Sequence, residues 1–210
     1  VSSSPARAIA RSMPSPMAAT SRRIACPTVT MESLAAPSGS DQIGRVDDWL
    51  ELVFTHEFTH IVHLDRSAGW ARPFRTVFGR IPIAFPNLFL PVWQIEGIAA
   101  WEESVVTGEG RLHAGDFRAI EREAARARAV EPLDRINGGL TDWPAGSAPY
   151  AYGLGFHQYL ADRFGNLSLG RLATDTSRAV PYFGSRAFKQ VYGQSLGTLW
   201  RDYVHTLEDT

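Results

Sequence analysis

One short run, "VFTHEFTHIVHLD" (Val53 to Asp65), sets three histidines and a glutamate, residues that bind metals and move protons, among apolar ones: His56, Glu57, His60 and His63. The order His56-Glu57-x-x-His60 is an H-E-x-x-H pattern. On a helix, residues four apart share a face, so both imidazoles can reach one ion. Two neutral imidazoles suit Zn²⁺, and a carboxylate beside the first can take a proton from the water that such a metal activates. His63 continues the same face. At about 1.5 Å per residue it stands roughly 10 Å along the axis from His56, too far for both to bond one ion. It is expected to support the site from a second layer or to be a polar core residue.

A catalytic zinc needs three protein ligands and one open position. The third is expected from "PVWQIEGIAAWEE" (Pro91 to Glu103). Glu96 stands there among Trp93, Ile95, Ile98 and Ala99, where a carboxylate is stranded unless it is paired or bound to a metal. Gly97 admits a second backbone at close range. Glu103 lies two turns further on the same face, placed either to orient a zinc-binding histidine or to end the helix as a surface carboxylate. Glu102 is expected to be solvated.

His56-Glu57-x-x-His60 followed by Trp93-x-x-Glu96-Gly97-x-Ala99-x-Trp101-x-Glu103 resembles the gluzincin metallopeptidases, in particular the aminopeptidase N branch and its peptidase MA-like relatives. "PYAYGLGFHQYLADRFG" (Pro149 to Gly165) is similar to the next helix of that group, and "FKQVYGQSLGTLWRDYVHTL" to its closing helices. The likeness runs from about Val46 to Leu207. It implies a thermolysin-like zincin catalytic domain with one Zn²⁺ per chain, held by His56, His60 and Glu96, and peptide-bond hydrolysis with Glu57 as general base. Tyr150, three residues before Gly153, takes the place of the group's transition-state hydrogen-bond donor, with Tyr152 and His157 as competitors. The likeness is nearest to bacterial domains that often precede a TolB-like β-propeller. It therefore also implies a periplasmic, secreted or envelope-associated protein and a possible C-terminal propeller in a longer parent chain. Two departures stand out. Residues 61–95 make a longer gap than in aminopeptidase N, and that segment could be a lid, a partner surface, a membrane-touching hairpin or a packed connection. No G-x-M-E-N-type segment precedes the zinc helix, which counts against aminopeptidase-like cleavage and leaves endopeptidase action open. The alternative function is an inactive gluzincin-like domain that serves as a scaffold or binding module.

The elements that must position these residues read as a mainly α domain, with α+β possible. Helices are predicted over Asp47–Leu64, Val92 to about Val105, Asp116–Val130, Tyr150–Phe164, two shorter stretches in "SLGRLATDTS" and "SRAFKQVYG", and Leu196–Leu207 capped by Ser195. Val53, Phe54, Phe58, Ile61 and Val62 make the first nearly all apolar, hence buried together with Glu57 and its histidines. Arg66 to Pro91 reads as an irregular, proline-bearing connection. Residues 1–40, rich in Ser, Pro, Ala and Arg, read as a low-complexity, disordered segment, with "CPTVTMESL" (Cys26 to Leu34) as its one β-like piece. Residues 41–210 form the expected domain.

The bulk numbers exclude several classes. The chain has 210 residues, 44% hydrophobic and 20% charged, ordinary for a globular domain. A net charge of −1 gives no electrostatic case for nucleic acid. Cys26 is the single cysteine, which excludes an internal disulfide and a thiolate cluster. The longest apolar run, Ile81 to Trp93, is short and broken by prolines, so no transmembrane segment is expected. No signal-peptide pattern opens the chain. The expected partner is a peptide or protein substrate.

Overall fold

The computed structural model describes residues 49–139 and 141–209. They form eight helices: α1 (Trp49–Leu64), α2 (Ala71–Phe78), α3 (Val92–Thr107), α4 (Gly115–Arg126), α5 (Ala148–Phe164), α6 (Leu167–Thr176), α7 (Arg186–Tyr192) and α8 (Leu196–Glu208). Short 3₁₀ turns lie in the links from α2 to α3, α3 to α4 and α4 to α5. There is no strand among the described residues, so the mainly α reading holds at that level. The readings of residues 1–40 and of "CPTVTMESL" lie outside the described residues. No described helix is long and apolar enough to cross a membrane.

The centre of the fold is the crossing of α3 and α5. Trp93, Trp101, Tyr152, Phe156 and Leu160 are buried there, with α4, α6 and α8 packed on α5 and Phe188 of α7 stacked on Phe156. Two glycines set the crossing distance. A Cβ on Gly97 would lie 2.5 Å from the Gly153 carbonyl carbon, and one on Gly153 would lie 2.3 Å from the Trp93 carbonyl oxygen. Any side chain at either position would force the helices apart. α1 also packs on α3.

Several boundaries follow local chemistry. Ser195 caps α8 by accepting the Thr198 N–H. Pro149 sits in the first turn of α5, which starts two residues before the expected Tyr150. Gly108 takes the left-handed conformation that ends α3. α4 stops at Arg126, short of the expected Val130; Arg128, at φ 50°, turns the chain away without a glycine.

Three expectations need correction. The Arg66–Pro91 connection contains a helix, α2, with Pro73 in its first turn where a missing N–H costs nothing. Next, α1 is not buried all round. Phe54 is 66% exposed, Phe58 51%, Ile61 63% and Val62 46%, and only Leu52, His56 and His63 are buried. Among the described residues α1 packs on α3 and on the 3₁₀ turn at Pro86–Phe89, so one side of the helix finds neighbours. Finally, Glu102 is half-buried rather than solvated, and burial raises its pKa.

Candidate metal centre

α1 and α3 present their polar residues to each other. His56 and His60 share a face of α1, and Glu96 enters from the first half of α3. The imidazole Nε2 atoms are 3.1 Å apart, and the Glu96 carboxylate oxygen Oε2 lies 3.4 Å from His56 Nε2 and 3.5 Å from His60 Nε2. At zinc–ligand bonds of about 2.0–2.1 Å, a tetrahedron has edges of about 3.3 Å. The three separations form such a triangle.

The donor chemistry fits a divalent cation as well. Glu103 is wholly buried, and its Oε2 lies 2.7 Å from His56 Nδ1. A carboxylate can only accept, so Nδ1–H donates and the lone pair of His56 is left on Nε2, facing Glu96 and His60. Burial would lower the His56 pKa, but hydrogen bonds to Glu103 and Glu96 hold it above the ordinary value, so a proton and a cation compete for the Nε2 that faces Glu96. Burial would raise the Glu96 pKa, but His56 and His60 pull it far below the carboxylate range. The Glu96 carboxylate and the Nε2 atoms of His56 and His60 thus converge on one point, as a metal site requires.

Sequence reasoning missed Arg111. It follows α3 in a 3₁₀ turn at Arg111–His113, and its Nη1 donates to the same Glu103 oxygen that accepts from His56. The 3.2 Å approach of Nη1 to His56 Nδ1 follows from that shared acceptor. The Arg111 main-chain N–H also donates to Glu103 Oε1 at 3.3 Å, and its guanidinium lies 5.5 Å from the centre of the Tyr150 ring. Nothing in "GEGRLH" marks this arginine from sequence, because its partners come from other helices.

Tyr150, on the first turn of α5, faces Glu96. Burial and then the Glu96 charge push its pKa up to about 12, and Arg111 opposes the shift. It is therefore a proton donor at any ordinary pH. The Glu57 charge adds a last, small contribution to the Tyr150 shift. Glu57 itself is exposed, contrary to the expectation of burial, because it points from the open side of α1.

The remaining candidates lie elsewhere. Tyr152 is fully buried against Trp200, its hydroxyl unpartnered among the described residues. His157 is in the core, where burial lowers its pKa to about 4 while its Nδ1 bonds the Gly153 carbonyl at 2.7 Å. His63 is buried, its Nδ1 lacks a partner among the described residues, and burial lowers its pKa to about 3.

No family model matches the chain, and no solved structure matches it. An uncharacterized protein of Treponema pallidum (strain Nichols) is 28% identical over 171 residues, which cover 79% of this chain and 14% of that protein. The chain thus spans about one seventh of the length of the relative it matches.

Proposed function

We propose that this chain is a zinc-dependent peptidase domain of the gluzincin type, with His56, His60 and Glu96 as metal ligands. The observation that carries the reading is the triangle of 3.1, 3.4 and 3.5 Å among three ligand atoms, two of them from an H-E-x-x-H helix. The gluzincin reading is supported by the order of the motifs along the chain.

When bound, Zn²⁺ supplies the Lewis acidity that makes water a nucleophile near neutral pH. The work of the chain's own residues follows from their placement. Glu57, beside His56 and open to solvent, accepts a proton from the attacking water and returns it to the leaving amine. Tyr150 keeps its proton and donates a hydrogen bond to the carbonyl oxygen as charge develops there. Glu103 fixes the tautomer of His56, and Arg111 holds Glu103 in place.

The test combines zinc stoichiometry with turnover of an unselective peptide library. Wild type is expected to hold one zinc and cleave. Glu57→Gln is expected to keep the zinc and lose roughly 10²–10⁴-fold in kcat. Zinc without cleavage in wild type would point to the scaffold alternative. No zinc after loading would end both readings.

A further inference from the structure

The segment between α1 and α3 and the C-terminal half of α1 border an open hollow of about 400 Å³. His60 contributes to its wall, so the cavity opens beside the metal triad. Most of the remaining lining is apolar: Ile61 and Leu64 from α1, and Pro82, Phe85 and Leu88 from the connection. The volume falls in the lower part of the ~300–1,000 Å³ span of ligand pockets, room for one large side chain with some backbone.

The wall is held in place. Asn87, wholly buried, donates to the His63 carbonyl at 2.9 Å and to the Ala173 carbonyl at 3.2 Å, fastening the connection to α1 and α6. Ser67 donates to the Ala84 carbonyl at 2.8 Å. The guanidinium groups of Arg75 and Arg80 lie 4.8 and 5.1 Å from the centre of the Phe85 ring. Both also pair with Asp65. Two guanidiniums against one carboxylate leave a positive charge in excess at the mouth.

We infer that this cavity is a specificity subsite that seats a leucine- or phenylalanine-class side chain of a peptide bound at the His56–His60–Glu96 triad, with a carboxylate on the next residue drawn to Arg75 and Arg80. The inference rests on the peptidase reading of the triad. It assigns the long connection the role of a fixed recognition wall. Continuity through His60 and the charge at the mouth select a peptide over a second copy of the chain.

The experiment is methyl NMR on the full chain carrying Glu57→Gln, with the zinc retained, so that peptides stay intact. The probes are acetylated, amidated Ala-Leu-Ala, Ala-Ala-Ala and Ala-Leu-Glu. Ala-Leu-Ala is expected to shift the Ile61, Leu64 and Leu88 methyls with a Kd at least ~10-fold below that of Ala-Ala-Ala. Ala-Leu-Glu is expected to bind roughly 2–5-fold tighter still at low salt and to lose that gain at high salt. Leu88→Trp fills the cavity and should abolish the preference for leucine while zinc content is unchanged. Ile61→Trp, at an exposed position, serves the same end if the first variant fails to fold. Equal binding of the leucine and alanine probes, or a preference that survives a filled cavity, would overturn the inference. Wild-type turnover is read separately. Discrimination without turnover would sink the peptidase reading and spare the cavity, and turnover without discrimination would do the reverse.

Discussion

Glu96 on α3 and Glu121 on α4 are two partly buried carboxyls, each on a helix packed against α5, and they behave in opposite ways. Glu96 has two imidazoles within 3.5 Å and is held far below the carboxylate range. Glu121 inserts beside Gly155, in a space that a Cβ at Gly155 would fill, and accepts a hydrogen bond from Tyr203. Burial pushes its pKa up to about 7; the Tyr203 hydroxyl and Arg118 offset only part of that. Two groups of one chemistry thus diverge because their neighbours do. Cationic or metal-ready partners keep a carboxylate charged, and a single neutral hydroxyl does not. The Glu96 cluster has the geometry to hold an ion, and the Glu121 cluster keeps a proton to a higher pH than an ordinary carboxyl does.

The largest effect is expected from breaking the charged cluster. Glu96→Ala removes one of three ligands and should weaken zinc binding by at least ~100-fold in a competition with a metal-binding dye, beyond the 10–100-fold range of supporting residues. Unchanged affinity would mean that Glu96 is not a ligand.

The second prediction sharpens the contrast through pH. The folded pKa of Glu121, about 7, lies above the ordinary value of 4.5. Between those values the folded state holds the proton and the unfolded state does not, so this group's contribution to stability falls as pH rises from 4.5 to 7 and is level above. Glu121→Gln should therefore be about 3 kcal/mol more stable than wild type at pH 8 in urea unfolding, with the gap closing below pH 4.5. A pH-independent difference would show that Glu121 titrates normally.

Arg111→Met tests how far the metal cluster depends on its outer support. Zinc affinity should fall about 10-fold, and Arg111→Lys should restore part of it, since a lysine supplies the charge without the planar fork. An affinity untouched by either change would make Arg111 a bystander. The smallest effect belongs to Tyr203→Phe. It removes the one hydroxyl on Glu121, should cost about 1 kcal/mol near neutral pH, and should move the Glu121 transition above pH 7.

The metal cluster was far more legible in the sequence than the proton-holding one. His56, Glu57 and His60 announce themselves by spacing within one helix, and Glu96, Gly97 and Glu103 by polar or small residues set in an apolar helix. Gly153 stands out through the same resemblance. Glu121 sits in a helix rich in exposed charge, where nothing local separates it from Glu123. Its seat is made by Gly155 and Tyr203, distant in sequence. Arg111 was invisible for the same reason. The outward face of α1 was misread because apolar content tells which residues can be buried and says nothing of whether a neighbour is there to bury them.

What the sequence determined by itself is the set of relations carried by helical periodicity: His56 over His60, Glu96 in step with Glu103, the Ser195 cap, the glycine stops. These depend on a rise and a turn that every α-helix shares. Only the tertiary structure decided which helix faces share a space. The Gly97–Gly153 contact sets how near α5 brings Tyr150 to Glu96, the turn after α3 delivers Arg111 to Glu103, and Asn87 fixes the connection as a wall beside His60. Each of these is a meeting of residues far apart in the chain, and their distances come into being only when the helices pack.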